Sequence, residues 1–511
     1  VRVNAIGDAT LTHFSPNWES LKNYQVPDWF RDAKFGIFMH WGVQSVPANN
    51  GWYARFMYTQ EGALWGNAYE YHRAHYGHPS EFGYKDLIPQ WRAEAWDPEA
   101  LVQFYKQIGA RYIVPVAVHH DNFDNYDSTW QPWNSVNMGP HRDVVGEWKH
   151  AADKYGLRFG VSTHSDRTWD WFATAHGSDV SGDLKGVLYD GHLTAADGKG
   201  TWWDGYDPRD LYAPPHAAAA EPSPEYCEIW YKRTLELIDK YQPDLLYFDG
   251  PLPIVRPIEN GGLPHPIRSR YGLEIAAHFY NANQDWHDGR QDAVLNIKLW
   301  EPGSVPDKTA IVLDIEKGQS DTLRSAPWQT DTSLIGEWYF APGPLELDDT
   351  VVVHNLCDIV SKNGNLLLNV GLRADGTLPD DQRAVLLGIG RWLDLNGEAI
   401  YGTRPWKIFG EGPTKIEHGD FKQNKQPFTA NDIRFTTKSN TLYAIALGWP
   451  TNGTLTVKSL IAAQPLWFGV ISTVEMLGVT EPLNWSLTDN GLVVQLPDRP
   501  PCDYAYVLKI R

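Results

Sequence analysis

Short apolar runs that end on a polar or ionisable residue recur along most of the chain. They are KFGIFMHWG (34–42), RYIVPVAVHH (111–120), RFGVSTHSD (158–166), DLLYFDG (244–250), AVLNIKLW (293–300), TAIVLDIEKG (309–318) and NLLLNVG (365–371). Each has the length of a strand, and helical patterns fall between several of them. The clearest is YCEIWYKRTLELIDKY (226–241), where Tyr226, Ile229, Trp230, Leu237, Ile238 and Tyr241 share helical spacing. PEALVQFYKQIGA (98–110) follows a capping Asp97, and DDTVVVHNLCDIVSKNG (348–364) stops at Gly364, a residue type suited to the position after a helix. Strands alternating with helices make parallel βαβ units, and about eight of them over roughly 400 residues predict an α/β fold, a (β/α)8-like, TIM-type barrel. After GEAIYGTRPW (397–406) the texture changes to short alternating strands with turn signals, as in NGLVVQLPD, which predicts a C-terminal antiparallel β-sandwich domain. The expected division is a catalytic barrel over 1–404 and a sandwich over 405–511.

Barrel active sites form at the C-terminal ends of the strands. That rule singles out His40, Trp41, His119, His120, His164, Asp249, Lys298 and Glu316, each at the end of an apolar run. A carboxylate delivered to the mouth, as Asp249 is, can be an acid, a base, a nucleophile or a metal ligand. The plainer alternative is a turn cap. In VLDIEKG, Asp314 and Glu316 are two residues apart and share a strand face, with Glu316 nearer the mouth. Position 316 lies 67 beyond 249, about two βα units, so the two carboxylates can face each other as glycoside hydrolysis requires. A surface Glu316 paired with Lys317 is the competing reading. His119 and His120 are adjacent, and neighbours on a strand point to opposite faces, so they reach one ion only if the strand has ended. The chain has no HExxH and no EF-hand loop, and GLRADGTLPDDQ (371–382) reads as a turn into a helix. No metal and no cofactor are expected.

Charge and composition narrow the partners. Against 44 Lys+Arg stand 63 Asp+Glu, a formal net charge of −19, which argues against nucleic acid. No apolar run approaches the roughly 18 residues of a membrane span. The chain carries 24 Trp, 25 Tyr and 18 Phe, more aromatic surface than a core needs, and fits ring stacking on sugars. Neutral histidines near Trp41 and Trp52 suit hydroxyl binding better than a metal. Cys227, Cys357 and Cys502 are far apart and form no CxxC. The sequence opens at Val1 without a charged-then-apolar leader, which fits a secreted or periplasmic protein whose signal peptide has been removed. The oligomeric state is left open.

Over about 400 residues the chain resembles glycoside hydrolase family 29, the α-L-fucosidases. The resemblance is carried, in the family's order, by WFRDAKFGIFMHWGVQSVP, HHDNFDNYDS, WNSVNMGPHRDVVGE, IDKYQPDLLYFDG, DIVSKNGNLLLNVGLRADGTLPDDQ and IGRWLDLNGEAIYGT. It implies a retaining exo-α-L-fucosidase that removes terminal α-L-fucosyl residues from oligosaccharides and glycoconjugates. It implies Asp249 as nucleophile, fucose hydroxyl contacts at His40, His119 and His120, a stacking contact at Trp52, and Lys298 near the position of a family arginine. Three departures stand out. Gly51-Trp52-Tyr53 replaces Glu-Trp-Tyr, so one polar sugar contact is lost or supplied from elsewhere. GVSTHSD puts His164 where many members carry tyrosine. PWQTDTS puts Trp328-Gln329 where some members have Trp-Glu, and an amide transfers no proton, so Glu316 becomes the acid/base, with Glu301 and Glu337 as reserves. Trp328 is expected beside Glu316, and Phe35, Phe248 and Trp338 are candidates for the wall against the fucose methyl. Trp202, Trp203 and Tyr206, in the insertion 170–225, are expected to border the leaving-group site. Competing readings are a retaining exo-glycosidase on a related sugar, a fucose-binding lectin-like protein with a degenerate site (favoured only by Gln329), and a metal-dependent hydrolase using His119 and His120.

Overall fold

A computed structural model describes residues 13–64, 66–217, 220–250, 266–298, 308–462 and 470–511. Glu301 lies outside them. Eight strands close a barrel in sequence order: β1 (Phe35–His40), β2 (Tyr112–Val118), β3 (Arg158–Thr163), β4 (Leu245–Phe248), β5 (Val294–Lys298), β6 (Val312–Asp314), β7 (Trp328–Ser333) and β8 (Gly364–Gly371). Every neighbouring pair is parallel, and β8 closes on β1 from Phe35↔Leu366 to His40↔Gly371. Side chains alternate across this wall. Phe38, Tyr112, Val114, Val116, Leu245, Tyr247 and Leu367 fill the interior. Their neighbours Ile37, Ile113, Leu246, Phe248, Leu366 and Leu368 pack in the layer under the helices.

Seven strands coincide with the apolar runs. The eighth, β7, is WQTDTS, buried along its whole length although most of it is polar. Its polar groups are paired inside the protein: Gln329 with Tyr112 and Asp314, Thr330 with the carbonyls of Ile315 and Gly318, Asp331 with Tyr247. Buried polar groups matched in this way forfeit little of what they lose from water.

The expected helices form at Pro98–Gln107, Pro224–Tyr241 and Asp349–Ser361, with Asp97, Ser223 and Asp348 accepting first-turn amides. The last ends differently from expectation. Asn363, at φ 73°, takes the left-handed turn, and Gly364 opens β8. A Cβ on Gly364 would lie 2.6 Å from the Trp328 ring, so this glycine serves strand packing and not the helix end.

The C-terminal domain consists of β9 (Arg404–Glu411), β10 (Ile433–Lys438), β11 (Thr441–Ala446), β12 (Thr454–Val457), β13 (Val474–Met476), β14 (Trp485–Thr488), β15 (Gly491–Gln495) and β16 (Tyr506–Ile510). A five-stranded antiparallel sheet, ordered β13-β16-β11-β10-β9, faces a three-stranded one, β12-β15-β14. Phe435, Leu442, Leu455, Val457, Leu492 and Leu508 form the core between them. The outer face of the larger sheet, through Tyr443, Ile445 and Val507, joins the barrel core. There Asp358 accepts from Arg434 Nε at 2.6 Å and Lys362 Nζ at 2.7 Å, all three groups buried. The loop between β9 and β10 runs back to the barrel mouth: Asp420 Oδ1 accepts from Glu316 N at 2.8 Å, and Phe421 N donates to Glu316 O at 2.7 Å. Among the described residues no helix is long and apolar enough to cross a membrane.

Candidate active site

A cavity of about 470 Å³ opens at the C-terminal ends of the strands, with His40, Trp52, His119, His120, His164, Asp249, Lys298 and Glu316 all in its lining. β2 ends at Val118, so His119 and His120 follow the strand and escape its alternation; both rings reach the cavity. The His119 and His120 rings lie 4.4 Å apart, His119 and His164 4.7 Å, and His40 and His164 5.3 Å. Each ring is fixed from behind. His40 Nδ1 lies 2.9 Å from Asn369 Oδ1, His119 Nδ1 2.8 Å from Gln44, His120 Nδ1 2.6 Å from the His164 carbonyl and His164 Nε2 3.1 Å from Ser162 Oγ. Burial lowers the basicity of all four, His40 and His119 far below the ordinary value and His120 to about 4. At neutral pH they are uncharged, and each keeps one ring nitrogen on the cavity side: an acceptor in His40 and His120, whose Nδ1–H donates behind, and a donor in His119, whose Nδ1 accepts from Gln44.

Among the described residues, two histidine-bearing groups place nitrogen or oxygen ligand atoms within 4.8 Å of one another: His40-His119-His164 and His120-His164-Asp249. His119 and His120 fall in different groups, so the adjacent pair does not converge on one point.

The opposite wall is charged. Lys298, at the end of β5 and 2% exposed, holds Asp249 Oδ1 at 2.7 Å, Glu316 Oε2 at 2.9 Å and Asp331 Oδ2 at 3.2 Å. Burial alone would raise the Asp249 carboxyl. The Lys298 ammonium overrides it, aided by His164, whose Nδ1 lies 3.4 Å from Oδ2, and Asp249 stays far below the usual carboxylate range. Glu316 goes the other way. Burial, reinforced by the charges of Asp249 and Asp331 and opposed by Lys298, pushes it up to about 7. Beneath them Asp314, raised well above its ordinary value by burial and the Asp331 charge, accepts from Gln329 Nε2 at 2.7 Å.

Several expected residues face elsewhere. Trp41 and Phe248 each follow an inward-facing neighbour and so point outward; Trp41 Nε1 donates to Arg373 O at 2.8 Å and its ring packs on Trp91 and Trp96. Trp328 also faces out, donating Nε1 to Lys362 O at 2.9 Å, and Asp331 rather than Trp328 is the group that β7 sets beside Lys298 and Glu316. Phe35 opens β1 at the end away from the mouth. Trp202 is half-exposed and bonded to Asp86, Trp203 is buried, and neither these nor Tyr206 line the cavity. Gln329, the one feature that favoured a lectin, is buried under the site between Tyr112 and Asp314. Asp331, Arg167, Lys317, Trp338 and Phe421 line the cavity without having been expected among its binding groups, Trp338 apart as a candidate methyl wall. No local signal marks Asp331, because WQTDTS is polar on both strand faces after Trp328 and lacks the alternation that would identify a strand.

The chain matches the family model described as Alpha-L-fucosidase over residues 3–398, and that of the Alpha-L-fucosidase C-terminal domain over 423–511. The chain belongs to the α-L-fucosidase family. This α-L-fucosidase is 28% identical over 510 residues to the tissue alpha-L-fucosidase of Bos taurus, covering 97% of this chain and 91% of that one. Its fold is similar to that of Thermotoga maritima alpha-fucosidase in complex with a mechanism-based inhibitor, with a TM-score of 0.71, 28% identity, and coverage of 97% of this chain and 99% of that one. The same enzyme in complex with fucose gives a TM-score of 0.69 at 27% identity, covering 98% and 100%. The protein is thus a glycoside hydrolase, a retaining exo-α-L-fucosidase acting on fucosylated glycans. Within this fucosidase the Gly51 departure meets a carboxylate from another strand end: Glu337 lines the cavity and accepts from Gly51 N at 3.3 Å.

Proposed function

We propose that Asp249 is the nucleophile and Glu316 the acid/base of this fucosidase. The observation that carries the assignment is the shared ammonium. Lys298 Nζ is 2.7 Å from Asp249 Oδ1 and 2.9 Å from Glu316 Oε2, so 5.6 Å, the two lengths taken together, is the upper bound on the distance between those oxygens. Retaining enzymes hold their carboxyl groups about 5–5.5 Å apart and inverting ones about 6.5–9.5 Å. Ionised Asp249 attacks the anomeric carbon of the α-L-fucosyl residue while protonated Glu316 gives its proton to the departing glycosidic oxygen. The glycosidic bond breaks as the β-fucosyl ester forms. That ester removes the Asp249 charge, which was helping to hold the Glu316 proton, while Lys298 remains beside the new carboxylate. Glu316 then takes a proton from water, whose oxygen displaces Asp249 and restores the α configuration. The four neutral imidazoles bind the sugar hydroxyls, with Trp52 against the ring.

Initial rates on an aryl α-L-fucoside test the roles. Asp249→Ala should lose on the order of 10⁴-fold or more. Azide added to Glu316→Ala should restore turnover by attacking the β-linked fucosyl-enzyme, yielding α-fucosyl azide. Azide added to Asp249→Ala should instead attack the substrate directly and yield the β azide. The reverse pairing of variants and anomers would overturn the assignment.

A further inference from the structure

Phe421 is the one large apolar side chain in the cavity lining that is mostly in water: it is 65% exposed, among the described residues. Its backbone sits at φ 59°, a left-handed conformation that a bulky residue rarely adopts. An exposed aromatic ring on a strained backbone is the pattern of a site held for binding. The strain is maintained by contacts to the acid/base segment itself. Phe421 N donates to Glu316 O at 2.7 Å, Asp420 Oδ1 accepts from Glu316 N at 2.8 Å and Gln423 N donates to Lys317 O at 2.7 Å. Phe421 falls in the stretch between the two family-matched segments, 3–398 and 423–511.

The glycosidic oxygen must lie beside the group that protonates it, so whatever it is attached to extends from the Glu316 side of the cavity. The ring tethered to Glu316 is that of Phe421. We infer that Phe421 is the platform of the leaving-group subsite, stacking on the apolar face of the pyranose ring that carries the fucose. The inference rests on Glu316 as acid/base, and it makes the C-terminal domain's loop part of the substrate site.

The test compares kcat/KM on methyl α-L-fucoside, whose leaving group has no ring but needs the same proton from Glu316 as a sugar does, with kcat/KM on fucosyl-galactose and fucosyl-N-acetylglucosamine disaccharides. In Phe421→Ala the ratio of disaccharide to methyl fucoside should fall about three- to tenfold, and Phe421→Trp should restore it. Phe421→Gly should lower the ratio equally while raising Tm, since glycine accepts the left-handed backbone. A proportional loss on every substrate would mean that the ring merely props Glu316, and an unaltered ratio would mean that the aglycone lies elsewhere; either overturns the inference. Failure of the wild-type protein to hydrolyse any of these fucosides would instead fall on the assignment of Asp249 and Glu316.

Discussion

The two halves of the barrel mouth solve different problems with different side chains. From β1 to β3 the strands lead into neutral imidazoles; from β4 to β7 the strand ends carry one ammonium among carboxylates. Burial acts on both halves, yet the outcome is opposite. Burial keeps the imidazoles neutral, while buried carboxylates around Lys298 must divide their charge unequally, Asp249 ionised and Glu316 near 7. The first half recognises hydroxyls, and the second manages protons.

This contrast can be broken most severely at Lys298. Lys298→Met should lower kcat/KM by about 10²- to 10³-fold, because Asp249 loses the charge that keeps it ionised. It should also cost about 3–5 kcal/mol of stability at neutral pH by leaving buried carboxylates unpaired. Raised carboxyl pKa values destabilise only above the unfolded-state value, so the Tm deficit should shrink as pH falls and the carboxyls take up protons; a deficit independent of pH would contradict this. On the other half, His164→Phe should lower kcat/KM about ten- to hundredfold through lost hydroxyl contacts. Its pH profile should keep the shape of the wild type, and a displaced alkaline limb would assign His164 to the proton chemistry.

The smallest effect is the sharpest discriminator. The first step needs Glu316 protonated, so wild-type kcat/KM should fall as pH rises through about 7. Asp331 helps to hold that proton, so Asp331→Asn should move the alkaline limb to lower pH. A limb that stays in place would remove Asp331 from the charged cluster.

The same contrast explains what the sequence displays. The apolar runs and their polar tips locate seven strands and the histidines, Asp249, Lys298 and Glu316, because hydrophobic burial leaves a local pattern. β7 leaves none: Gln329, Thr330 and Asp331 are buried by pairing with Tyr112, Tyr247, Asp314 and backbone carbonyls, partners that only the closed barrel supplies. Trp41 is expected in the site from its strand-end position, Phe248 as an apolar wall for the fucose methyl and Trp328 as a neighbour of Glu316, yet all three pack in the layer outside the barrel interior. Asp420 and Phe421 lie beyond local reasoning altogether, since the hydrogen bond from Glu316 to Asp420 spans 104 residues and crosses between domains.

The central claim is that Asp249 becomes covalently attached to the sugar. Incubation with 2-fluoro-fucosyl fluoride, followed by protease digestion and mass spectrometry, tests it most directly. The account predicts one fucosyl adduct per chain, on the peptide containing Asp249 and absent from Asp249→Ala. An adduct on Glu316, or turnover of the reagent with no adduct at any time, would contradict it.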